Sequence, residues 1–571
     1  MHIVHEIGSE LGHIARQLSG EGLEFDVSVN QNPNQGDITS NIALIHFKKM
    51  GFNSPREAAV KIAADYENMQ DPCIGKIEVA GPGFINFYLS QDYLKAVLKK
   101  DIQKDLDFHK TNILMSQRKK VIVEFGDPNP FKEIHIGHLR NFCIGESFSK
   151  LLESQGNQVL RANYQGDVGL HVAKAMWGLL KREEQFLDEG LSEEEKVRLL
   201  AQSYVEGATE FENNPTVKQE IVEINKKIYS DDESLHALWE EGRKVSLDHF
   251  EELYSRIGVR YDKYYFESVT AKKGKEVVLS HIEDGVFEKD DGAVIYKGEK
   301  DGLHTRVFLT SQEYATYEGK DLALAILKNE EEECDESVIL TGNEQLEYFQ
   351  VMLAALKRIA PDLASKTRHY TFGHVRLKEG KMSSRTGDVI TASWLLDEAV
   401  KRVREQFPDM DEITTEKVGV GAVKYSMLRF SIPGDIHFSF EESISLEGNS
   451  GPYLQYSYVR TQSVLGKAKE QQVIEATGQN ESLGSLEKEE HDLLRFLSQY
   501  SYHLEVASKE FAPNLLCNYL FELAQRFNLF YQKHKIIGSE NEAFRLALTK
   551  AVGQVLQNGL HILGIETVEK M

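Results

Sequence analysis

Residues 119–164 read "KKVIVEFGDPNPFKEIHIGHLRNFCIGESFSKLLESQGNQVLRANY". A strand-like run at 119–125, a helical pattern at 138–156 and a second strand-like run at 158–164 follow one another with short connections. A strand, helix, strand unit of this kind implies a parallel sheet, and hence an α/β domain. In such sheets ligands sit beyond the carboxyl ends of the strands, where helix N-termini attract anions. The ten residues "KEIHIGHLRN" (132–141) occupy that position. His135 and His138 are three apart, so on a first helical turn they share a face. Gly137 between them removes a side chain, leaving room for a flat base or ribose against the backbone. The pattern suits the phosphates of a nucleotide. A metal would need a third ligand, and none lies nearby in sequence; two polar residues at a helix cap would look the same.

A second stretch, "EGKMSSRTGDVI" (379–390), joins two glycines, two serines and two basic residues without an apolar run. Lys381 and Arg385 in a mobile loop could close on phosphates, while a plain solvated turn has the same composition.

The chain of 571 residues is too long for a single core and suggests about three or four domains. Its first residues are amphipathic, unlike a signal peptide, and no apolar run reaches the roughly 18 residues of a membrane span. The four cysteines (Cys73, Cys143, Cys334, Cys517) are far apart, which speaks against a zinc site or a disulfide framework and for a cytoplasmic protein. A net charge of −24 argues at first against a nucleic-acid partner. Much of the acid lies between 183 and 252 and in "NEEEECDES" (329–337), whereas 491–571 holds eight acidic and eight basic residues. The overall charge therefore does not decide the partner.

Four textures divide the chain. Residues 1–115 mix amphipathic helix ("SPREAAVKIAADYENM") with strand ("KIEVAGPGFINFYLS"). Residues 116–395 carry the strand and helix alternation, interrupted by an acidic helical insertion at about 183–270. A helical connector is expected at 396–450 and an all-helical domain at 451–571.

HIGH followed about 245 residues later by KMSSR resembles a class I aminoacyl-tRNA synthetase. "VEFGDPNPFKEIHIGHLRN", "ANYQGDVGLHVAKAMWGLL", "YEGKDLALAILK", "GNEQLEYF", "GHVRLKEGKMSSRTG", "GPYLQYSYVRTQSVL" and "GLHILGIETVEKM" together resemble the arginyl-tRNA synthetase family. "GDITSNIAL" and "VAGPGFINFYLS" resemble that family's N-terminal domain. The resemblance implies a multidomain α/β protein: a Rossmann-like parallel-sheet catalytic domain, an α+β N-terminal domain that contacts tRNA, and an all-α anticodon-binding C-terminal domain. It implies arginine activation by ATP, with Mg2+, and transfer of arginine to the 2′-hydroxyl of the terminal ribose of its tRNA. Activation is expected only with tRNA present, and the chain is expected to be monomeric.

Site residues carry over by position. His135, His138, Lys132 and Lys381 are the expected catalytic groups, and Gly137, Ser383 and Ser384 complete the ATP contacts. Tyr317, Asp321 and Gln345 would read the guanidinium, for which a facing carboxylate is the strongest partner. Glu124 and Asn129 would hold the α-amino group. Tyr456, Tyr531 and Met571 would meet the anticodon, and Asn41 or Phe84 the outer corner of tRNA. Three departures stand out. Ser384 replaces the second lysine of KMSKS, a role that Lys132 would take over. His171 stands where many members carry glutamine, and the alanine-leucine-arginine motif is blurred to "EAFRLAL" (542–548). Two rivals are a nucleotidyltransferase with a small acceptor, which would not need the flanking domains, and a synthetase-like RNA-binding module, which would not keep the site residues.

Overall fold

The computed structural model describes residues 2–30, 32–103, 118–378, 390–471 and 486–571. At its centre five parallel strands lie in the order Thr367–Phe372, Glu336–Gly342, Lys120–Glu124, Gln158–Gln165, Lys263–Phe266. Val121, Ile122 and Val123 are completely buried, as expected of a central strand covered by helices on both faces. The chain runs outward from Lys120–Glu124 through the next two strands, then crosses back to place Glu336–Gly342 on the other side of the first. Strand order thus reverses between Lys120–Glu124 and Glu336–Gly342, the switch point where open α/β sheets bind ligands. The Ile136–Ser154 helix starts beside that crevice.

Helices Glu193–Asn213, Pro215–Tyr229 and Glu233–Ile257 fill most of the expected insertion. The strand Lys263–Phe266 lies within the 183–270 span yet pairs with Ala162–Gln165 in the sheet. The inserted helices thus end before it. A small three-stranded antiparallel sheet, Glu288–Asp290, Ala293–Tyr296 and Arg306–Leu309, precedes the Tyr317–Glu331 helix.

At the N-terminal end four antiparallel strands pack with the Ile3–Ser19 and Pro55–Glu67 helices. This unit docks on the C-terminal helices. The buried guanidinium of Arg495 bonds Asp37 and donates to the Gly36 carbonyl at 2.8 Å, and His5 meets Glu505 at 2.8 Å. The C-terminal region packs the Gly451–Glu470, Lys488–Leu497, Tyr500–Lys509, Pro513–Lys533 and Glu542–Ile562 helices around Leu454, Leu493, Leu520 and Leu556. Among the described residues no helix is long and apolar enough to cross a membrane.

Candidate active site

After Glu124 the backbone turns sharply. Gly126 has φ +92°, and a Cβ there would collide with Tyr261 and Phe142. Asp127 has a positive φ and accepts from the Tyr164 N–H at 2.9 Å. The loop ends at His135, the N-cap of the Ile136–Ser154 helix. Its Nδ1 accepts the N–H groups of Gly137 (3.1 Å) and His138 (3.4 Å), and His138 Nδ1 accepts the His135 N–H at 3.3 Å. The two histidines form a reciprocal cap, the arrangement usually made by Ser or Thr with Glu. Their rings stack with centroids 3.8 Å apart. A Cβ on Gly137 would lie 2.9 Å from the His135 ring, so this glycine makes room for the cap itself. With each Nδ1 accepting, the ring proton of the neutral form sits on Nε2, leaving a donor free for phosphate oxygens. Burial, then the charge of Lys132, lowers the His135 pKa. Burial, then His135 and Lys132, holds His138 well below the usual imidazole range. Both rings stay neutral at physiological pH.

Lys381, Ser383, Ser384 and Arg385 lie outside the described residues, but the backbone on either side of them is anchored to this helix start. Ile136 N–H donates to the Ile390 carbonyl at 3.0 Å and Ala392 N–H to the Ile134 carbonyl at 2.8 Å. On the other flank, Val375–Leu377 pairs in parallel with Ile436–Phe438. Arg140, two residues past His138, is completely buried and gives its guanidinium to three carbonyls: Gly373 (2.5 Å), Gly434 (2.9 Å) and Ile432 (3.0 Å). The two motifs are thus tied through their roots. Sequence reasoning passed over Arg140 because its partners are more than 200 residues away.

Around the start of the Tyr317–Glu331 helix the crevice holds buried acid. Glu124 pairs with Lys328, and Glu267 with Lys320 at 2.6 Å, all four nearly inaccessible. Asp127 and Asp321 have no such cation among the described residues. Burial, followed by the nearby Glu124 charge, raises Asp127 well above the carboxylate range and Asp321 to about 8. Tyr348 donates to Asp321 Oδ2 at 2.9 Å, with Gln345 Oε1 3.3 Å from the same hydroxyl. Asp321 and Gln345 are therefore brought together through Tyr348, which the sequence reading had not singled out. Tyr317, one helical turn before Asp321, is mostly exposed and carries the Lys320 ammonium 4.7 Å from its ring centre. Asn129 packs over Gly166, where a Cβ would strike its Oδ1. His171 lies beside it with Nε2 2.7 Å from the Gly166 carbonyl, pushed down to about 3 chiefly by burial.

In the C-terminal region Arg460 lies between the two tyrosines expected at RNA, 4.8 Å from the Tyr456 ring centre and 4.9 Å from that of Tyr531. Asn528 accepts from Arg460 at 2.5 Å and donates to Tyr453 and Ser457. Met571 is not part of that group; it packs on a cluster containing Val403, Val418 and Val459. In the N-terminal unit Asn41 is engaged with Asp26 through both ends of its amide, and Phe84 is exposed.

A parallel sheet with a histidine-capped helix at its switch point defines the catalytic domain of a class I tRNA synthetase. Residues 101–440 match the family model for the catalytic domain of class I (R) tRNA synthetases. Residues 2–89 match the arginyl tRNA synthetase N terminal domain, and 454–571 the DALR anticodon binding domain. The chain is 32% identical to the arginine–tRNA ligase of Fusobacterium nucleatum over 98% of each chain, and 30% identical to that of Parabacteroides distasonis over 93% of each. The fold superposes on Thermus thermophilus arginyl-tRNA synthetase with a TM-score of 0.80 over the full length of both chains, at 22% identity. The chain belongs to the arginyl-tRNA synthetase family.

Proposed function

We propose the following course for arginine activation and tRNA charging by this chain. Arginine brings two positive charges, a guanidinium and an α-ammonium. Asp321, with Gln345 and Tyr348 around it and Tyr317 covering the rim, takes the guanidinium; Glu124, Asp127 and Asn129 face the α-amino end. An oxygen of the arginine carboxylate attacks the α-phosphate of ATP, and the bond to pyrophosphate breaks. The neutral imidazoles of His135 and His138 donate from Nε2 to phosphate oxygens as charge builds, and Lys132 and Lys381 stabilise the departing pyrophosphate. Such donors act by preorganised electrostatics, and losing one costs on the order of 10²-fold in rate. Magnesium enters with ATP, held by its phosphates and water, as is usual for this ion. Among the described residues no three His, Cys, Asp or Glu side chains converge on a metal position. The 2′-hydroxyl of the terminal tRNA ribose then attacks the arginyl carbonyl and passes its proton to an oxygen of the adenylate phosphate, and AMP leaves as the bond between the arginyl carbonyl and that phosphate breaks. Tyr456, Tyr531 and Met571 belong to the anticodon side of a monomeric, cytoplasmic enzyme.

The observation carrying this reading is the pair of carboxylates at the switch point, half-buried Asp127 and buried Asp321, neither of them in a salt bridge among the described residues although Lys328 and Lys320 are near enough to be felt. The test is arginine-dependent exchange of pyrophosphate into ATP, with and without tRNA. Exchange should appear only when tRNA is present. Exchange driven by another amino acid, or none under either condition, would overturn it.

A further inference from the structure

The acidic insertion has a definite relation to the site. Its first long helix, Glu193–Asn213, packs across the Leu170–Leu180 helix, which starts beside the loop bearing Lys132. Gly207 permits this approach, because a Cβ there would collide with the Lys174 carbonyl. Tyr204 and Phe211 lie one turn on either side of Gly207 and share its face. Each ring meets a lysine. The ammonium of Lys132 is 5.4 Å from the Tyr204 ring centre and that of Lys174 is 4.2 Å from Phe211.

The kind of partner matters. Elsewhere on the same insertion lysines are held by carboxylates, as in Lys226 with Glu223 at 2.6 Å and Lys196 with Glu241 at 2.5 Å. Lys132 has no carboxylate partner among the described residues, and Lys174 only a loose one, Glu212 at 3.7 Å. A carboxylate would hold the ammonium and cancel its charge. An aromatic face holds it through the ring quadrupole and leaves the charge and N–H donors available. Lys132 is within electrostatic reach of Lys174 on one side and of His135 and His138 on the other, so it stands between Lys174 and the helix start.

We propose that the inserted Glu193–Asn213 helix is the positioning element for the phosphate-facing lysines, with Tyr204 holding Lys132 and Phe211 holding Lys174, and that Lys174 is a further contact for the triphosphate. This rests on the assignment of Lys132 to the pyrophosphate, made above. Tyr204 acts through Lys132 and is a positioning residue.

The test is a double-mutant cycle on the full-length enzyme, read as kcat and KM for ATP and arginine in tRNA-dependent pyrophosphate exchange. Tyr204→Leu, which keeps bulk without a ring, should lower kcat/KM for ATP about tenfold, the range of a partly buried cation–π contact, and leave KM for arginine unchanged. Tyr204→Phe should restore activity. In a Lys132→Ala background Tyr204→Leu should cost nothing further. Lys174→Ala should raise KM for ATP while sparing that for arginine. An equal loss in both backgrounds, or failure of Tyr204→Phe to restore activity, means that the ring merely packs and overturns the inference. A large loss from Lys132→Ala with a silent Tyr204→Leu overturns the positioning role alone. A silent Lys132→Ala removes the underlying assignment and the inference with it.

Discussion

His135 and His138 cap their helix for each other, each imidazole Nδ1 accepting the backbone N–H of its partner. Cap and donor roles can be separated by substitution. Asparagine at position 135 can still accept from the first helical turn, since Asn is among the best N-caps, but its amide donor sits on a shorter side chain and does not reach the place of the imidazole Nε2. His135→Asn should therefore keep its Tm within about 2 °C while losing on the order of 10²-fold in kcat for pyrophosphate exchange. A parallel fall in both would reduce His135 to a structural cap.

The same cap sets an acid limit. Both histidines titrate below the usual imidazole range of about 6.5 in the folded chain. A depressed histidine pKa gives stability that is fully present above the unfolded value and lost as pH falls through the folded one. Exchange activity should stay level with respect to this cap down to about pH 6.5 and fall only below it. A midpoint above that range would mean that one imidazole is protonated in the working enzyme.

Asp321 works in the opposite direction. Its carboxyl, raised to about 8 when the pocket is empty, must lose its proton to pair with a guanidinium that is always charged. Arginine affinity should thus improve as pH rises from about 6.5 toward 8, and binding should release protons. Calorimetry in buffers of different ionisation enthalpy reads that release directly. Asp321→Asn should reduce that release, leaving the share due to Asp127, and weaken arginine roughly 100-fold, as expected for truncating one partner of a buried charge pair, with KM for ATP unchanged. Equal losses for arginine and ATP would place the guanidinium elsewhere.

How much of this was legible in sequence follows from the range of each interaction. The βαβ unit and the histidine-bearing helix start declare themselves locally, in strand and helix patterns within 46 residues. The strand Lys263–Phe266 did not, because four residues after a 25-residue helix give no period of their own. Tyr317 and Asp321 were found as a helical pair, yet Tyr348, which bonds Asp321 across 27 residues, carries no local signal. Arg140 and Tyr204 escaped for the same reason: their roles exist only once distant segments meet. The acidity of the insertion was visible; that two of its aromatic rings face lysines was not.

Arg460 between Tyr456 and Tyr531 suggests a rigid platform for stacking unpaired bases. Arg460→Ala should raise KM for tRNA about tenfold, since stacking is worth roughly 1–3 kcal/mol per base, and leave kcat at saturating tRNA close to the parent value. Aminoacylation at varied tRNA concentration measures both. An unchanged KM would assign the platform to packing.

The link between terminal domains is the most exposed to single substitution. Arg495 and Asp37 are nearly buried, and Asp37 also accepts the Leu89 N–H at 2.8 Å. The guanidinium donates in addition to the Gly36 carbonyl, so removing the acid leaves a cation fixed in place without its counter-charge. Breaking one side of such a pair costs about 3–5 kcal/mol, whereas replacing both sides by apolar groups of similar volume is often neutral. Asp37→Ala should therefore lower stability in urea by that amount, and Asp37→Leu combined with Arg495→Met should recover most of it. Because the partners of this pair belong to the two terminal domains and none of them touches Asp321, KM for arginine should not move in either variant. If the double variant is no more stable than Asp37→Ala, the docking depends on the hydrogen bonds to Gly36 and Leu89 rather than on charge.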